Sequence, residues 1–167
     1  QTPMIWRGPM VTSAIKTFTQ KVEWKDLDFI IVDMPPGTGD AQLSVAQLVP
    51  LTGIVVVTMP QEVSLTDVRR AMGMALEVKT PVLGIIENMT GEMFGKGGGK
   101  QIADAFEAQF LGSVPLQVEL RKGGDAGVPT FVSDNYGSIG IIFSDIAGKI
   151  AAEVSKRQES ELPILEV

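Results

Sequence analysis

One carboxylate, Asp33, stands where a buried strand is expected to end. It directly follows the apolar residues 29–32, and a turn rich in proline and glycine comes next. In open α/β sheets, ligands bind beyond the carboxyl ends of the strands. A carboxylate at such an end needs a cation, water or hydrogen-bond donors to offset its desolvation. A hydrated magnesium ion beside a phosphate supplies all of these, so the pattern predicts an acid that acts on Mg²⁺ through water.

Asp33 begins a pattern of eight residues that is more specific than a lone acid. Pro36 fixes a turn, and Gly37 and Gly39 allow backbone N–H groups to approach a phosphate oxygen closely. Asp40 follows at the expected start of a helix, where its side chain is a suitable cap. The alternative is that Asp33 only caps a turn and that the glycines only bend the chain. The full pattern reads Asp33-Met34-Pro35-Pro36-Gly37-Thr38-Gly39-Asp40.

Residues 95–101 look at first like a phosphate-binding loop, but their spacing is wrong. Such a loop has four residues between its first glycine and the Gly-Lys pair, followed by Ser or Thr for magnesium. Here residues 96–98 alone separate Gly95 from Gly99, and Gln101 follows Lys100. No buried strand is predicted before Gly95. We therefore reject this segment as a nucleotide loop.

The elements that must position these residues alternate between strands and helices. Continuous apolar runs predict strands that are buried on both faces, as in a parallel sheet. Strands are predicted at residues 28–33, 53–59, 81–87 and 110–114. Helices are predicted after Pro9, at residues 40–49, after Pro60, at 100–109 and at 139–150. This alternation indicates βαβ units in an α/β domain, a mostly parallel sheet with flanking helices.

Two of the helices carry more detailed signals. After Pro9, apolar residues recur every four positions, and after Pro60, Ser64 and Asp67 stand at capping-box spacing. The apolar stripe of this second helix is Leu65, Val68, Met72, Ala75 and Leu76. The segment between residue 115 and the last helix is predicted to be a glycine-punctuated loop. One domain is expected over residues 1–167, with residues 157–167 forming a loosely ordered tail.

The composition excludes several function classes. The net charge is −6 and the basic residues are scattered, which argues against nucleic acid or an anionic membrane as the main partner. The sequence contains 0 Cys and 0 His, so thiolate and imidazole ligands are excluded. No apolar run reaches the ~18 residues of a membrane span, and a cytoplasmic location is predicted. Because the chain enters core-like residues directly after Gln1, we expect it to be part of a longer domain.

Six short motifs occur in order along nearly the whole chain. They are Trp6-Arg7-Gly8-Pro9-Met10, the Asp33 pattern, Pro50-Leu51-Thr52-Gly53, Thr58-x-Pro60-Gln61, Glu87-Asn88-Met89 and Phe94-Gly95-x-Gly97-Gly98-Gly99. Together they resemble the Mrp/Nbp (ApbC-type) ATPases, a branch of the MinD/ParA-like P-loop proteins. The resemblance implies the P-loop NTPase fold, with its N-terminal part absent from this sequence.

The resemblance also implies roles for individual residues. Asp33 would be the Walker B acid, acting on Mg²⁺ through water, while Pro36 and Gly37 would belong to the switch that senses the γ-phosphate of ATP. Asn88 would read the adenine edge. The walls of the base pocket would be Val114, Pro115 and Leu116. The alternatives are that Asn88 only holds a turn and that Val114 and Pro115 only end a strand.

Two departures from the family pattern bear on activity. Relatives carry a Gly-Lys-Gly-Gly-x-Gly-Lys-Ser/Thr loop, and nothing before Trp6 can supply it, so ATP is expected to bind poorly to this chain alone. Relatives also place a Cys-x-x-Cys between the segments that correspond to Met89 and Phe94. With 0 Cys in the sequence, thiolates of this chain cannot hold an iron–sulfur cluster.

The resemblance implies a homodimer that carries iron–sulfur clusters to apo-proteins in an ATP-dependent manner. Two alternatives stay open. A MinD/ParA-like positioning ATPase would share the fold and the switch without needing cysteines, and binding to lipid vesicles or DNA would reveal it. A non-catalytic scaffold that dimerises with a complete subunit would bind no nucleotide.

Overall fold

The computed structural model describes residues 8–34, 39–133 and 137–160. Within these ranges, three parallel strands form one sheet in the order β1-β2-β3. The strands are β1 (Ile54–Thr58), β2 (Val82–Thr90) and β3 (Phe110–Pro115). The helices are α1 (Gly8–Gln20), α2 (Asp40–Leu48), α3 (Glu62–Glu77), α4 (Gly98–Ala105), α5 (Val118–Ala126), α6 (Thr130–Ser133) and α7 (Ser138–Ser160). The predicted parallel α/β architecture is therefore confirmed.

Helices cover both faces of the sheet. Successive residues of a strand point to opposite faces, so Val56 and Ile85 face one way while Val55 and Ile86 face the other. The first face packs against α3 and α4, in a cluster that includes Leu65, Met72 and Ile102. The second face packs against α7, where Ile146 joins Leu111 and Val114. Buried strands flanked on both sides account for the continuous apolar runs in the sequence.

Helix α3 shows both the strength and the limit of its sequence signals. The predicted stripe is buried at Leu65, Val68, Met72 and Ala75, but Leu76 is 68% exposed. The predicted capping box is wrong, because the helix begins at Glu62 with Gln61 in the N-cap position and no side-chain cap. Its first turn is closed by the backbone, where Leu65 N donates to Gln61 O at 3.1 Å.

The strand predicted at residues 28–33 is not observed. This segment has no regular secondary structure, and its apolar side chains at positions 29–32 are exposed. An apolar run becomes a strand only where a neighbouring strand supplies backbone partners and helices cover its faces. Among the described residues, β1 pairs only with β2, so nothing pairs with this segment.

The apolar residues Met10 and Phe18 of α1 are exposed as well. Helix α1 instead contacts α2, with Thr12 Oγ1 lying 3.1 Å from Ser44 Oγ.

The region after β3 is more ordered than its glycines suggest. Helix α5 forms although it contains Gly123 and Gly124, supported by the ion pair of Arg121 with Asp125 at 2.5 Å. It ends at Gly127, whose left-handed φ of 67° suits a glycine C-cap. Helix α7 continues to Ser160, into the segment predicted as a tail. None of the described helices is long and apolar enough to cross a membrane.

Candidate functional site

The carboxyl ends of the three strands meet at one edge of the sheet, because all pairings are parallel. The register places Glu87 between Thr58 of β1 and Ser113 of β3. One residue further along, Asn88 pairs with Val114. This edge is where ligands of open α/β sheets bind, so it is the first place to compare with the residues singled out from the sequence.

The four residues expected around a base lie together at this edge. Asn88 and Val114 are register partners, and Thr90 is the partner of Pro115. The chain after β3 is fixed to the end of β2, because Leu116 N donates to Thr90 O at 2.9 Å. Val114 is 4% exposed and packs into the α7 cluster, whereas the side chain of Leu116 is 47% exposed.

Asn88 lies within β2 and not in the turn that the simpler alternative proposed, and the neighbouring residue engages one half of its side-chain amide. Its Oδ1 accepts a hydrogen bond from Met89 N at 2.9 Å. Met89 adopts a left-handed conformation with φ 57°, which is uncommon for a residue with a side chain. The Nδ2 group of Asn88 makes no hydrogen bond within the described part of the chain.

Among the described residues, no hydrogen bond or ion pair joins Asp33 to this edge. The Asp33 side chain is exposed and makes no ion pair or hydrogen bond with any described residue. Pro36 and Gly37 lie outside the described residues. Asp40 is the first residue of α2, and Gly39 occupies the N-cap position without a side-chain cap. The cap predicted at Asp40 is therefore wrong, because the N-cap position belongs to Gly39.

The glycine-rich segment around Gly97 has an internal role that its sequence did not reveal. The Glu87 side chain is 1% exposed, and its Oε1 accepts a hydrogen bond from Gly99 N at 2.7 Å while its Oε2 accepts one from Gly97 N at 3.0 Å. Two amides that a phosphate would need are thus engaged by a carboxylate of the same chain. This contact gives a structural reason for rejecting the segment as a nucleotide loop.

Glu87 is the residue that reasoning from the sequence missed. The available signal was an acid placed at the end of an apolar run, followed ten and twelve residues later by glycines. As was argued for Asp33, such an acid needs a cation, water or hydrogen-bond donors. Here, the N-terminus of α4 supplies the donors.

The described residues offer too few acidic side chains in one place to hold a metal ion without help from a ligand. Among the described residues, no group of three or more His, Cys, Asp or Glu could hold a metal ion. Magnesium keeps several waters and uses one or two carboxylates together with phosphates, and the unpaired Asp33 carboxylate is suited to accept from such a water. A thiolate-held iron–sulfur cluster does not fit this sequence, which has 0 Cys.

Comparison with known sequences places the chain in a protein family. Residues 1–151 match the sequence model of a family described as "ParA: NUBPL iron-transfer P-loop NTPase". The iron-sulfur cluster carrier protein of Synechocystis sp. is 46% identical over 164 residues, which are 92% of this chain and 46% of that protein. The chain spans about half the length of the curated relatives it matches.

Two solved structures resemble this chain in fold, and one of them contains a bound nucleotide. A nucleotide-binding protein from Archaeoglobus fulgidus, solved in complex with ADP, is 33% identical with a TM-score of 0.66 over 78% of this chain and 56% of that one. The cell division ATPase MinD of Pyrococcus furiosus superposes with a TM-score of 0.68 at 21% identity, over 87% of this chain and 59% of that one. At that identity MinD shows the shared fold alone. The family match extends over most of the sequence, and the chain belongs to the ParA family of NUBPL iron-transfer P-loop NTPases.

Proposed function

We propose that this chain supplies the base-binding and magnesium-associated part of an ATPase that carries iron–sulfur clusters to apo-proteins. The observation that supports the proposal most directly is the grouping of Asn88, Val114, Pro115 and Leu116 at the carboxyl edge of the sheet. It occurs in a chain whose family consists of iron-transfer P-loop NTPases. A 33% identical relative that binds ADP supports a nucleotide as the ligand.

In this proposal, each residue has a limited task. The Asn88 amide donates to the edge of adenine, and the side chains of Val114, Pro115 and Leu116 exclude water from the ring. Asp33 orients a water molecule of hydrated Mg²⁺, which neutralises charge on the phosphates when it is bound. Pro36, Gly37 and Asp40 form the switch segment that follows Asp33. The phosphate-binding loop itself is assigned to residues outside these 167.

The iron–sulfur cluster is the cargo, and no thiolate of this sequence holds it. The ligands would come from residues outside these 167 or from a partner. A homodimer in the cytoplasm that delivers clusters to apo-proteins is the arrangement we propose. The curated relatives named as iron-sulfur cluster carrier proteins support it.

The substitution Asn88→Asp tests base recognition while it preserves the hydrogen bond from Met89 N. Aspartate keeps the oxygen that accepts from Met89 N, but it replaces the amide donor by a second acceptor. We expect the preference for ATP over GTP, measured as the ratio of dissociation constants by calorimetry in the full-length gene product, to fall about tenfold or more. The thermal midpoint should stay close to that of the parent protein.

Gln101→Glu is the matched control, because it makes the same change of amide to acid at an exposed position of α4. It should leave the ratio unaltered. A normal ATP preference in Asn88→Asp would contradict the base-binding role. If the parent protein binds no nucleotide, the scaffold alternative gains support instead. Co-sedimentation with anionic vesicles or DNA would favour the positioning alternative.

A further inference from the structure

The Glu87 carboxylate is a buried charge that no cation of the described residues offsets. Its three hydrogen bonds come from Gly99 N at 2.7 Å, Gly97 N at 3.0 Å and Ser113 Oγ at 3.4 Å. Burying a carboxylate is costly unless such donors are fixed in place. The donors here belong to the first turn of α4 and to β3, so one side chain ties three elements together.

Two glycines of the loop lie too close to their neighbours to be replaced by a residue with a side chain. A Cβ atom on Gly99 would lie 2.8 Å from Glu87 Cβ, and one on Gly98 would lie 2.5 Å from Pro60 O. Gly97 has a left-handed φ of 99°, which glycine adopts without strain. The loop therefore packs directly onto the ends of β1 and β2. The Glu87 carboxylate lies between the Gly97 and Gly99 amides of this loop.

The segment between Glu87 and Gly97 is held at both ends. It begins with Asn88 and the left-handed Met89, and it then forms a narrow hairpin. In this hairpin Gly91 N donates to Gly95 O at 3.0 Å and Gly95 N donates to Gly91 O at 2.7 Å. The far end returns to the sheet at the glycine loop, where Gly97 N and Gly99 N donate to Glu87 and where α4 packs on the core through Ile102. Glu87 thus closes a loop whose first residue is Asn88.

We propose that Glu87 is a positioning residue for base selection, and this inference rests on the proposed function. By fixing the glycine loop against the strand ends, Glu87 adds to the pairing of β2 with β3 in holding the backbone at residues 88–90 in one conformation. The amide of Asn88, which alternates to the opposite face of β2, is thereby held in the orientation that suits one base edge. Selectivity depends on such supporting contacts because a loosely held group accepts several partners.

The variant Glu87→Gln tests this proposal at nearly constant side-chain volume. The glutamine oxygen can accept from Gly99 N, but its NH₂ group then faces the donor Gly97 N, and that contact is lost. We expect the ATP-over-GTP affinity ratio of the full-length gene product to fall about fivefold to tenfold, on the scale of one weakened hydrogen bond. Glu92→Gln, the same change at an exposed position of the hairpin, should leave the ratio unchanged.

The outcomes distinguish this inference from the function on which it rests. A ratio unchanged in folded Glu87→Gln, with a reduced ratio in Asn88→Asp, overturns the positioning role alone. A ratio unchanged in Asn88→Asp overturns both. A residue with a purely structural role would lower the thermal midpoint without altering the preference between bases. If Glu87→Gln does not fold, Ser113→Ala replaces it: removing the 3.4 Å contact should lower the ratio about twofold, and an unchanged ratio overturns the proposal.

Discussion

Replacing Asp33 by asparagine is expected to lower the rate of ATP hydrolysis by the full-length gene product on the order of 100-fold, the usual effect of removing one electrostatic contact to the transition state. The reason is that asparagine cannot hold a hydrated magnesium ion as a carboxylate does, so the developing charge on the phosphates is less well neutralised. The thermal midpoint should not change, because Asp33 is exposed and makes no hydrogen bond or ion pair with a described residue.

Asp28→Asn is the control for this experiment. It removes the same charge five positions earlier, from another exposed carboxylate. Hydrolysis should continue at the parent rate in this control, and the magnesium concentration for half-maximal activity should rise only in Asp33→Asn. Hydrolysis that proceeds normally in Asp33→Asn would remove Asp33 from the magnesium site and leave the turn-capping interpretation.

The second large effect is expected from Ile85→Ala, in the cluster between the sheet and helices α3 and α4. Ile85 is 0% exposed, and its cluster includes Val56, Met72 and Ile102. Truncation removes buried apolar contacts and leaves a cavity, so we expect the free energy of unfolding to fall by about 2–5 kcal/mol. For a chain of this size, that corresponds to a thermal midpoint lower by roughly 5–15 °C.

Ile141→Ala makes the same truncation at a position of α7 that is 60% exposed. It should change the free energy of unfolding by less than about 0.5 kcal/mol. Differential scanning calorimetry on both variants provides the measurement. Equal midpoints for the two variants would mean that the β2 core is not packed as described.

The central strands were predictable because their signal is local and strong. The segments at residues 53–59, 81–87 and 110–114 are rich in apolar residues, and the structure forms β1, β2 and β3 there. The same signal failed at residues 28–33, because strand formation depends on neighbours and no described strand lies beside that segment. The apolar pattern of a segment indicates how well it would pack in a sheet, but a neighbouring strand must be present for the segment to pair as a strand.

The site was predictable in part. The adjacency of Asn88 and Val114 follows from the parallel order of their strands, which places the carboxyl ends at one edge. The contact of Glu87 with Gly97 and Gly99 was not predictable from residue types, since a buried acid and a glycine loop each suggest an external ligand. Only the close approach of α4 to the end of β2, which the glycines permit, shows that the two satisfy each other.

This contact suggests how glycine-rich segments in other genomes can be classified. A search by glycine and lysine content alone would count residues 95–100 as a phosphate loop, although a carboxylate of the same chain already serves as its anion. An acid at the end of an apolar run, ten to twelve residues before the glycines, distinguishes this arrangement. A sequence filter that looks for the upstream acid should therefore remove a class of false nucleotide-binding assignments.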